Sequence, residues 1–375
     1  MPLRLWQEVQ ILPWSTEIVA LTCGTRLRPV VPAQARQACC ATPVQNQKVG
    51  QLPPSLNFNF LTLRELGSRE AAWPIANNRF QSSKGQWLPL YEGKMVQSFD
   101  HRASDIVLGT GNLFRPGQGS DLTDADHKDP ARFARPRFWI LEENVPWPGE
   151  VDWCIGLKDV TSVTNARTTI AAILPKVGAG HTLPVLIPSM TTDRKSKSAD
   201  YILKAPLLIA NFNSFVFDYL ARQKVHGNHL AWYLLEQIPV VPAAAYHRRF
   251  GTKTAAEIVK NAVLELSYTA QDLAEFARDM KHVNEGGDIK PPFIWDEDRR
   301  RHLRAKLDAL YFILYGIYDA ADAVNSRDDI NYIFSSFSVV EREEIAECGY
   351  YRSRDLTLSY VNALIAGQPD AIIQG

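Results

Sequence analysis

Hydrophobic positions divide this chain into three regimes. Through residue 55, Pro, Gln, Thr and Cys are scattered with neither a helical nor a strand period, and this stretch reads as an irregular leader, either flexible or, as the favoured reading, a start region that is not a native domain. Between residues 137 and 187 the apolar runs are short. Residues 137–141 form one run. Val151, Trp153, Ile155 and Leu157 alternate with Asp152, Cys154, Gly156 and Lys158, a period of two with one face buried. Residues 168–174 and 183–187 are two more such runs. Four runs bounded by turn residues predict a small mixed or antiparallel sheet.

Beyond residue 204 the period lengthens to that of helices. Leu208, Phe212, Phe215, Val216, Tyr219 and Leu220 share one helical face, and Pro206 fits a first turn, where no amide donor is needed. The helix runs out at Arg222 to Lys224, Gly227-Asn228-His229 turns the chain, and residues 238–242 close it with Pro239 and Pro242. Thr254 and Glu257 have capping-box spacing ahead of the stripe Ile258, Val259, Ala262, Val263 and Leu266. Thr269 is expected to open a helix to about Lys281. Asp296 is expected to cap a third, with Leu303, Leu307, Leu310, Tyr311 and Leu314 at helical spacing and Gly316 ending it. The fold class is α+β: a small mixed or antiparallel sheet domain followed by a helical C-terminal region. The expected division is 1–55 leader, 56–136 junction, 137–245 sheet domain and 246–375 helical domain. Residues 112–136, rich in Gly, Pro and Asp, read as a surface loop.

Net charge is zero, so any nucleic-acid surface must be local. Five cysteines without a CxxC pair argue against a disulfide framework or zinc site and fit a reducing cytoplasm. No apolar run has membrane length and no signal peptide is present.

Three motifs resemble chemistry but lack a required part. Glu92-Gly93-Lys94 has nuclease spacing, yet no aspartate precedes Asp100. Gly109-Thr110-Gly111 follows a strand but opens a loop, whereas a cofactor loop should open a helix. Lys290-Pro291-Pro292-Phe293 is placed like an adenine-methylase tetrapeptide, but an ammonium cannot accept the hydrogen bond of a flipped base.

A long, spaced pattern comprises Leu207, Leu208, Asn211, Asn213, Ser214, Asp218, Tyr219, Arg222, Lys224, Gly227, Leu235, Glu236, Gln237, Pro239 and Pro242. Upstream stand Leu88 to Tyr91, Glu92, Lys94, Met95 and Phe99 to Arg102, then Trp153, Gly156 to Val160, and Ala166 to Thr168 with Ile170 to Ala172, Leu174 and Pro175. These motifs resemble the target-recognition and C-terminal region of adenine-specific DNA methyltransferases of restriction–modification systems, of the type IIG and phage-defence kind. The likeness runs from about Leu61 to Tyr360. It implies sequence-specific recognition of double-stranded DNA. The S-adenosylmethionine loop and the catalytic tetrapeptide are missing, so this chain is expected to bind no cofactor, and methyl transfer would need a methyltransferase catalytic subunit as partner.

Candidate DNA contacts are Lys94, His101, Arg102, Lys158, Arg167, Arg194, Lys195, Arg222, Lys224, Asn228 and His229. Cations would position phosphates, and side chains in the major groove would read sequence. Structural alternatives stand beside them: an Asp100–Arg102 ion pair with His101 alongside, an Arg167–Asp159 salt bridge, and a solvated mobile loop at residues 191–197. Arg299, Arg300, Arg301 and Arg304 read as a solvated face neutralised by nearby acids. Two other readings are a protein-interaction subunit of a defence complex and a truncated methylase fragment.

Overall fold

The computed structural model describes residues 60–107, 117–145, 147, 150–188 and 194–373, together with the backbone of 18–21; residues 194–197 are likewise described as backbone alone. Its strands are β1 (Ile18–Leu21), β2 (Trp73–Ile75), β3 (Arg79–Ser82), β4 (Gly85–Tyr91), β5 (Ser104–Val107), β6 (Gln118–Asp121), β7 (Phe138–Leu141), β8 (Trp153–Leu157), β9 (Ala171–Pro175), β10 (Gly178–Ala179), β11 (Val185–Pro188), β12 (Arg249–Phe250) and β13 (Lys253–Thr254). Its helices are α1 (Leu63–Glu70), α2 (Asp124–Lys128), α3 (Arg194–Phe212), α4 (Phe215–Arg222), α5 (Trp232–Leu235), α6 (Ala255–Ser267), α7 (Ala274–Asp279), α8 (Glu297–Leu314), α9 (Ala323–Ser335), α10 (Ser338–Cys348) and α11 (Arg352–Ile365). The architecture is α+β, with sheets first and helices after them.

The four expected strands exist, but they do not share one sheet. An antiparallel sheet runs β1-β11-β8-β9. β7 instead pairs with β4 in a second, mixed sheet ordered β10-β4-β3-β2, whose β10–β4 pair is parallel. Within the stretch read as an irregular leader, Ile18–Leu21 is thus an edge strand. β9 starts at Ala171 rather than at residue 168, because the Thr168 amide and the Thr169 hydroxyl bond to Asp218 and to the Phe212 carbonyl.

The alternation along β8 predicts one buried face; all five of its residues are buried. Trp153, Ile155 and Leu157 pack with Ala171, Ile173 and Leu186 against the helical layer of Tyr201, Leu208, Phe212, Phe215 and Phe217. That cluster continues without a break through Leu266, Phe276, Leu310, Phe312 and Phe334. Cys154 faces the other way, with Ala172, Leu174, Val185, Ile187, Tyr91 and Met95. Burial pushes the Cys154 thiol well above its ordinary range, so it behaves as a small apolar side chain. Gly156 lies on this second face, where a Cβ would stand 2.5 Å from Leu174 Cδ1. Small residues on one face therefore let the central strand be covered twice.

Two helical expectations change. Pro206 lies inside α3, not in a first turn, and the α3 backbone already begins at Arg194 where a loop was expected. The long helix breaks at Asn213-Ser214, and Ser214 caps α4 by accepting from the Phe217 amide at 3.2 Å. Thr254 forms its capping box and Asp296 its cap as expected. The helix after Thr269 is shorter than expected, a 3-10 turn (Gln271–Leu273) followed by α7. The expected loop 112–136 contains β6 and α2; residues 108–116, with the Gly109–Gly111 turn, lie outside the described residues. Among the described residues, no helix is long and apolar enough to cross a membrane.

Asp308 on α8 accepts the first amide of α4, Phe215 N–H, at 2.8 Å. Burial raises its carboxyl to about 7, although the Arg167 guanidinium and the Phe215 amide favour the charge. A folded-state pKa above the unfolded 3.8 gives stability that is complete in acid and lost as pH rises toward 7. Asp308→Asn keeps an acceptor and removes the titration. Calorimetry is expected to show this variant melting a few degrees above the parent in mildly alkaline buffer, with the gap closing as the buffer is acidified.

Candidate functional site

The residues of the long sequence pattern converge on a buried polar knot. Asn213, in the break between α3 and α4, meets β9 as another strand would: its Oδ1 accepts from Ala171 N–H and its Nδ2 donates to Ala171 C=O, both at 2.9 Å. Asn211 Oδ1 accepts from Val241 N–H at 2.9 Å, and its Nδ2 donates to the Tyr315 hydroxyl at 2.6 Å. Asp218, fully buried on α4, accepts from the Thr168 amide at 3.0 and 3.1 Å, from Arg167 Nε at 2.6 Å and from Arg222 Nε at 3.4 Å. A buried carboxylate needs such partners, because its desolvation without them costs several kcal/mol even after the protein relaxes around it.

This knot removes Arg167 and Arg222 from the candidate interface. Arg167 also donates to Asn213 C=O and lies 4.1 Å over the Phe215 ring. Its carboxylate is Asp218, not Asp159. Arg222 donates to the carbonyls of Val163, Asn165, Ala166 and Ser336 and lies 4.2 Å over Phe337. Burial draws its pKa down, and Asp218 opposes that. Together the two arginines brace the loop 161–168 against α4 and the start of α10.

His101 and Arg102 are likewise committed. His101 Nε2 meets Asp272 Oδ1 at 2.9 Å, with both side chains buried. Arg102 guanidinium N–H groups donate to the carbonyls of Asp129, Arg132, His127 and Thr269. Asp100 accepts the Arg102 backbone amide and pairs with His127, so no Asp100–Arg102 side-chain ion pair forms. Burial pushes the Asp100 carboxyl up, but His127, Arg300 and that amide outweigh it and hold it below its ordinary value. Arg300, expected on a solvated face, is buried: it donates to Leu266 C=O and stacks 3.7 Å over Trp295. Arg299 and Arg304 pair with Glu265 and Glu297, and Arg301 with Asp298.

The remaining candidates gather at one rim. Gly93 approaches Thr182 so closely that a Cβ would stand 2.6 Å from its carbonyl oxygen, and Gly93 N–H donates to Thr182 Oγ1. Lys158 Cγ lies 3.4 Å from that same Cβ position. Asp159 N–H donates to Thr182 C=O, Leu230 N–H to Asp159 C=O, and Thr161 N–H to Asn228 C=O. His229 Nδ1 meets Asp159 Oδ2 at 2.8 Å. Segments 92–94, 158–161, 180–183 and 226–230 are thus stitched edge to edge beyond the C-terminal end of β8, and Lys224 stands at the foot of the last. Lys94 donates to Gly117 C=O. The ammonium groups of Lys158 and Lys224 make no hydrogen bond or ion pair among the described residues. Burial lowers the Lys158 pKa, opposed by Asp121. Val160 and Tyr233, 44% and 62% exposed, add apolar surface. Arg194 and Lys195 open α3, and their side chains lie outside the described residues.

One signal was missed in the sequence. Residues 319–375 carry ten acidic and four basic side chains, a net of −6, which leaves +6 on the rest of a formally neutral chain. Among the described residues, no group of three or more His, Cys, Asp or Glu side chains is placed to hold a metal ion.

Removing one partner of the knot is expected to cost stability rather than binding. Asp218→Ala should lower the unfolding free energy by about 3–5 kcal/mol, because it strands Arg167 and Arg222. Lys158→Ala should stay within about 1 kcal/mol of the parent. Urea denaturation of the two variants checks both values. Compared with known proteins, the chain matches no family model, and no curated sequence or solved structure is significantly similar to it.

Proposed function

We propose that this chain recognises duplex DNA as the specificity part of an adenine-specific methylation system of the restriction–modification kind, working in the cytoplasm. The observation that carries the reading is the rim. Among the described residues, the ammonium groups of Lys158 and Lys224 make no hydrogen bond or ion pair, and they stand there beside Lys94, Asn228 and His229, while the other described candidates are consumed by the fold. The lysines supply phosphate contacts that set register. Asn228 and His229 carry the donors and acceptors that a major-groove edge can read, and Val160 offers apolar surface for a thymine methyl group. Acidic α9 and α10 adjoin the loop 161–166 through Arg222, so like-charge repulsion confines a phosphate backbone to the lysine side.

Methyl transfer is assigned to a separate catalytic chain that brings S-adenosylmethionine. Lys290, at the first position of the tetrapeptide-like run, does not fit the base contact of that reaction. Lys290 holds a tight turn through its backbone, with N–H to His282 and C=O from the Tyr268 hydroxyl, and its ammonium has only donors. The second reading, a protein-interaction subunit, is favoured by the commitment of so many arginines to the protein itself.

Selection from random duplex DNA at two salt concentrations tests the proposal. A short enriched motif is expected, with affinity falling as salt rises. The triple variant Lys94→Ala, Lys158→Ala, Lys224→Ala is expected to reduce the log–log salt slope by about 2–3, near 0.9 per phosphate contact. No enrichment together with salt-insensitive binding would remove DNA reading and leave the interaction subunit.

A further inference from the structure

Helix α2 is too short to hold its shape alone, and its one buried side chain is His127. Both nitrogens of that ring meet acceptors. Nδ1 lies 3.0 Å from the Thr123 carbonyl oxygen, and Nε2 lies 3.1 Å from Asp100 Oδ2. A carbonyl oxygen has no proton to give. Asp100 accepts the Arg102 amide at 2.8 Å and its carboxyl is held below its ordinary range, so it is ionised and has none either. A neutral imidazole donates from one nitrogen only, whereas the imidazolium donates from both. The ring therefore fits this place as the cation. It stacks on Trp295 with ring centroids 4.0 Å apart, and an indole face is a favourable surface for a cation. The other charged groups around it are Arg102, whose Nη2 donates to the His127 carbonyl at 2.9 Å, Arg300, which lies 3.7 Å over Trp295, and the buried His101–Asp272 pair. On α2 itself Asp126 is matched by Arg132, and Asp124 and Lys128 are exposed, as is the following Asp129.

We infer that the His127 imidazolium is a proton-dependent latch, which fastens α2 onto Trp295 and lets it go when the ring loses a proton. Deprotonation leaves one buried ring nitrogen with its lone pair against an oxygen at hydrogen-bond distance, and it takes the cation off the indole. No other side chain of α2 is buried to hold the helix in place. The residues after it stay behind, because Arg102 donates to the Asp129 and Arg132 carbonyls and Gln271 N–H donates to that of Pro130. They form the pivot. Histidine is the side chain suited to such a switch, since its charge changes in the physiological range. Strand β6 leads into α2. The Gly117 carbonyl just before that strand accepts from Lys94, and Asp121 at its end favours the charge on Lys158, so an open latch loosens the footing of both lysines. The latch itself does not rest on DNA recognition, since none of its groups belongs to the rim.

Nitrogen NMR of the histidine rings and amide hydrogen exchange on the full chain, from about pH 5.5 to about pH 9, test the latch. Exchange is expressed as protection factors, so that its intrinsic pH dependence cancels. At the acid end, the ring signals that are absent from His127→Gln are expected to report a proton on both nitrogens. As pH rises one proton is lost. With the same midpoint, protection of the Asp126 and His127 amides, both bonded to Thr123, is expected to fall about tenfold, the scale of one buried hydrogen bond. The Gln271 amide, on the pivot, keeps its protection. His127→Gln, whose side-chain donors sit on a single nitrogen, is expected to show the low protection at every pH. Asp100→Asn removes the charge beside the ring and should move the midpoint toward acid, which a ring that only fills space would not do. A ring with a single proton at the acid end, no proton loss up to the alkaline end, or a ring that titrates while α2 protection stays flat each overturns the inference. All three outcomes are read from the parent chain, so the test stands even where a variant fails to fold. None of these measurements uses DNA, so failure of the latch and failure of the DNA reading are visible apart from each other.

Discussion

The Asp218 carboxylate is the constraint on which the rest depends. It is buried on α4, and it is satisfied only if the loop before β9 comes close enough to present the Thr168 amide and the Arg167 side chain. That approach sets where β9 begins, and Asn213 then fixes the strand by pairing with both polar groups of Ala171. Arg222 ties the same carboxylate to the carbonyls of the loop and to Ser336. One buried charge therefore joins sheet, loop and C-terminal helices. A polar network of this kind rigidifies a core when every member is satisfied, and destabilises it when one is not.

With the knot in place, β8 lies between a helical layer and a second apolar cluster, and its C-terminal end delivers Lys158 to the rim. The rim loops hold their positions by backbone pairing, by the close approach of Gly93 to Thr182 and by the His229–Asp159 contact. The spacing of the polar residues between Asn211 and Asp218 follows from this division of knot from rim. Asn211, Asn213, Ser214 and Asp218 are frame residues, each with a defined buried partner.

Much of the fold was legible because it rests on local period. The strands at 138–141, 153–157, 171–175 and 185–188 and the caps at Thr254 and Asp296 each follow from neighbours within a few residues. The break at Asn213-Ser214 was not, because the apolar stripe continues across it in register. The second buried face of β8 was hidden because Cys154 and Gly156 do not count as hydrophobic in a period-two pattern. The candidate site was the least legible part. An arginine in a sequence reads as a free cation, and nothing local reveals that Arg167 will meet Asp218 fifty-one residues later, or Arg102 the Thr269 carbonyl. The charge split at residue 319 was legible, yet the neutral total concealed it.

Lysine footprinting tests most directly whether the rim is the DNA face. The chain would be acetylated with and without a random duplex pool, and each lysine quantified by mass spectrometry. Lys281 is the internal control, since α7 packs at the other end of β8, where Trp153 Nε1 donates to Asp279 at 2.7 Å. Protection of Lys94, Lys158 and Lys224 with Lys281 unchanged is the expected result. Uniform reactivity at all four lysines in the presence of duplex, or protection at Lys281 alone, would contradict it.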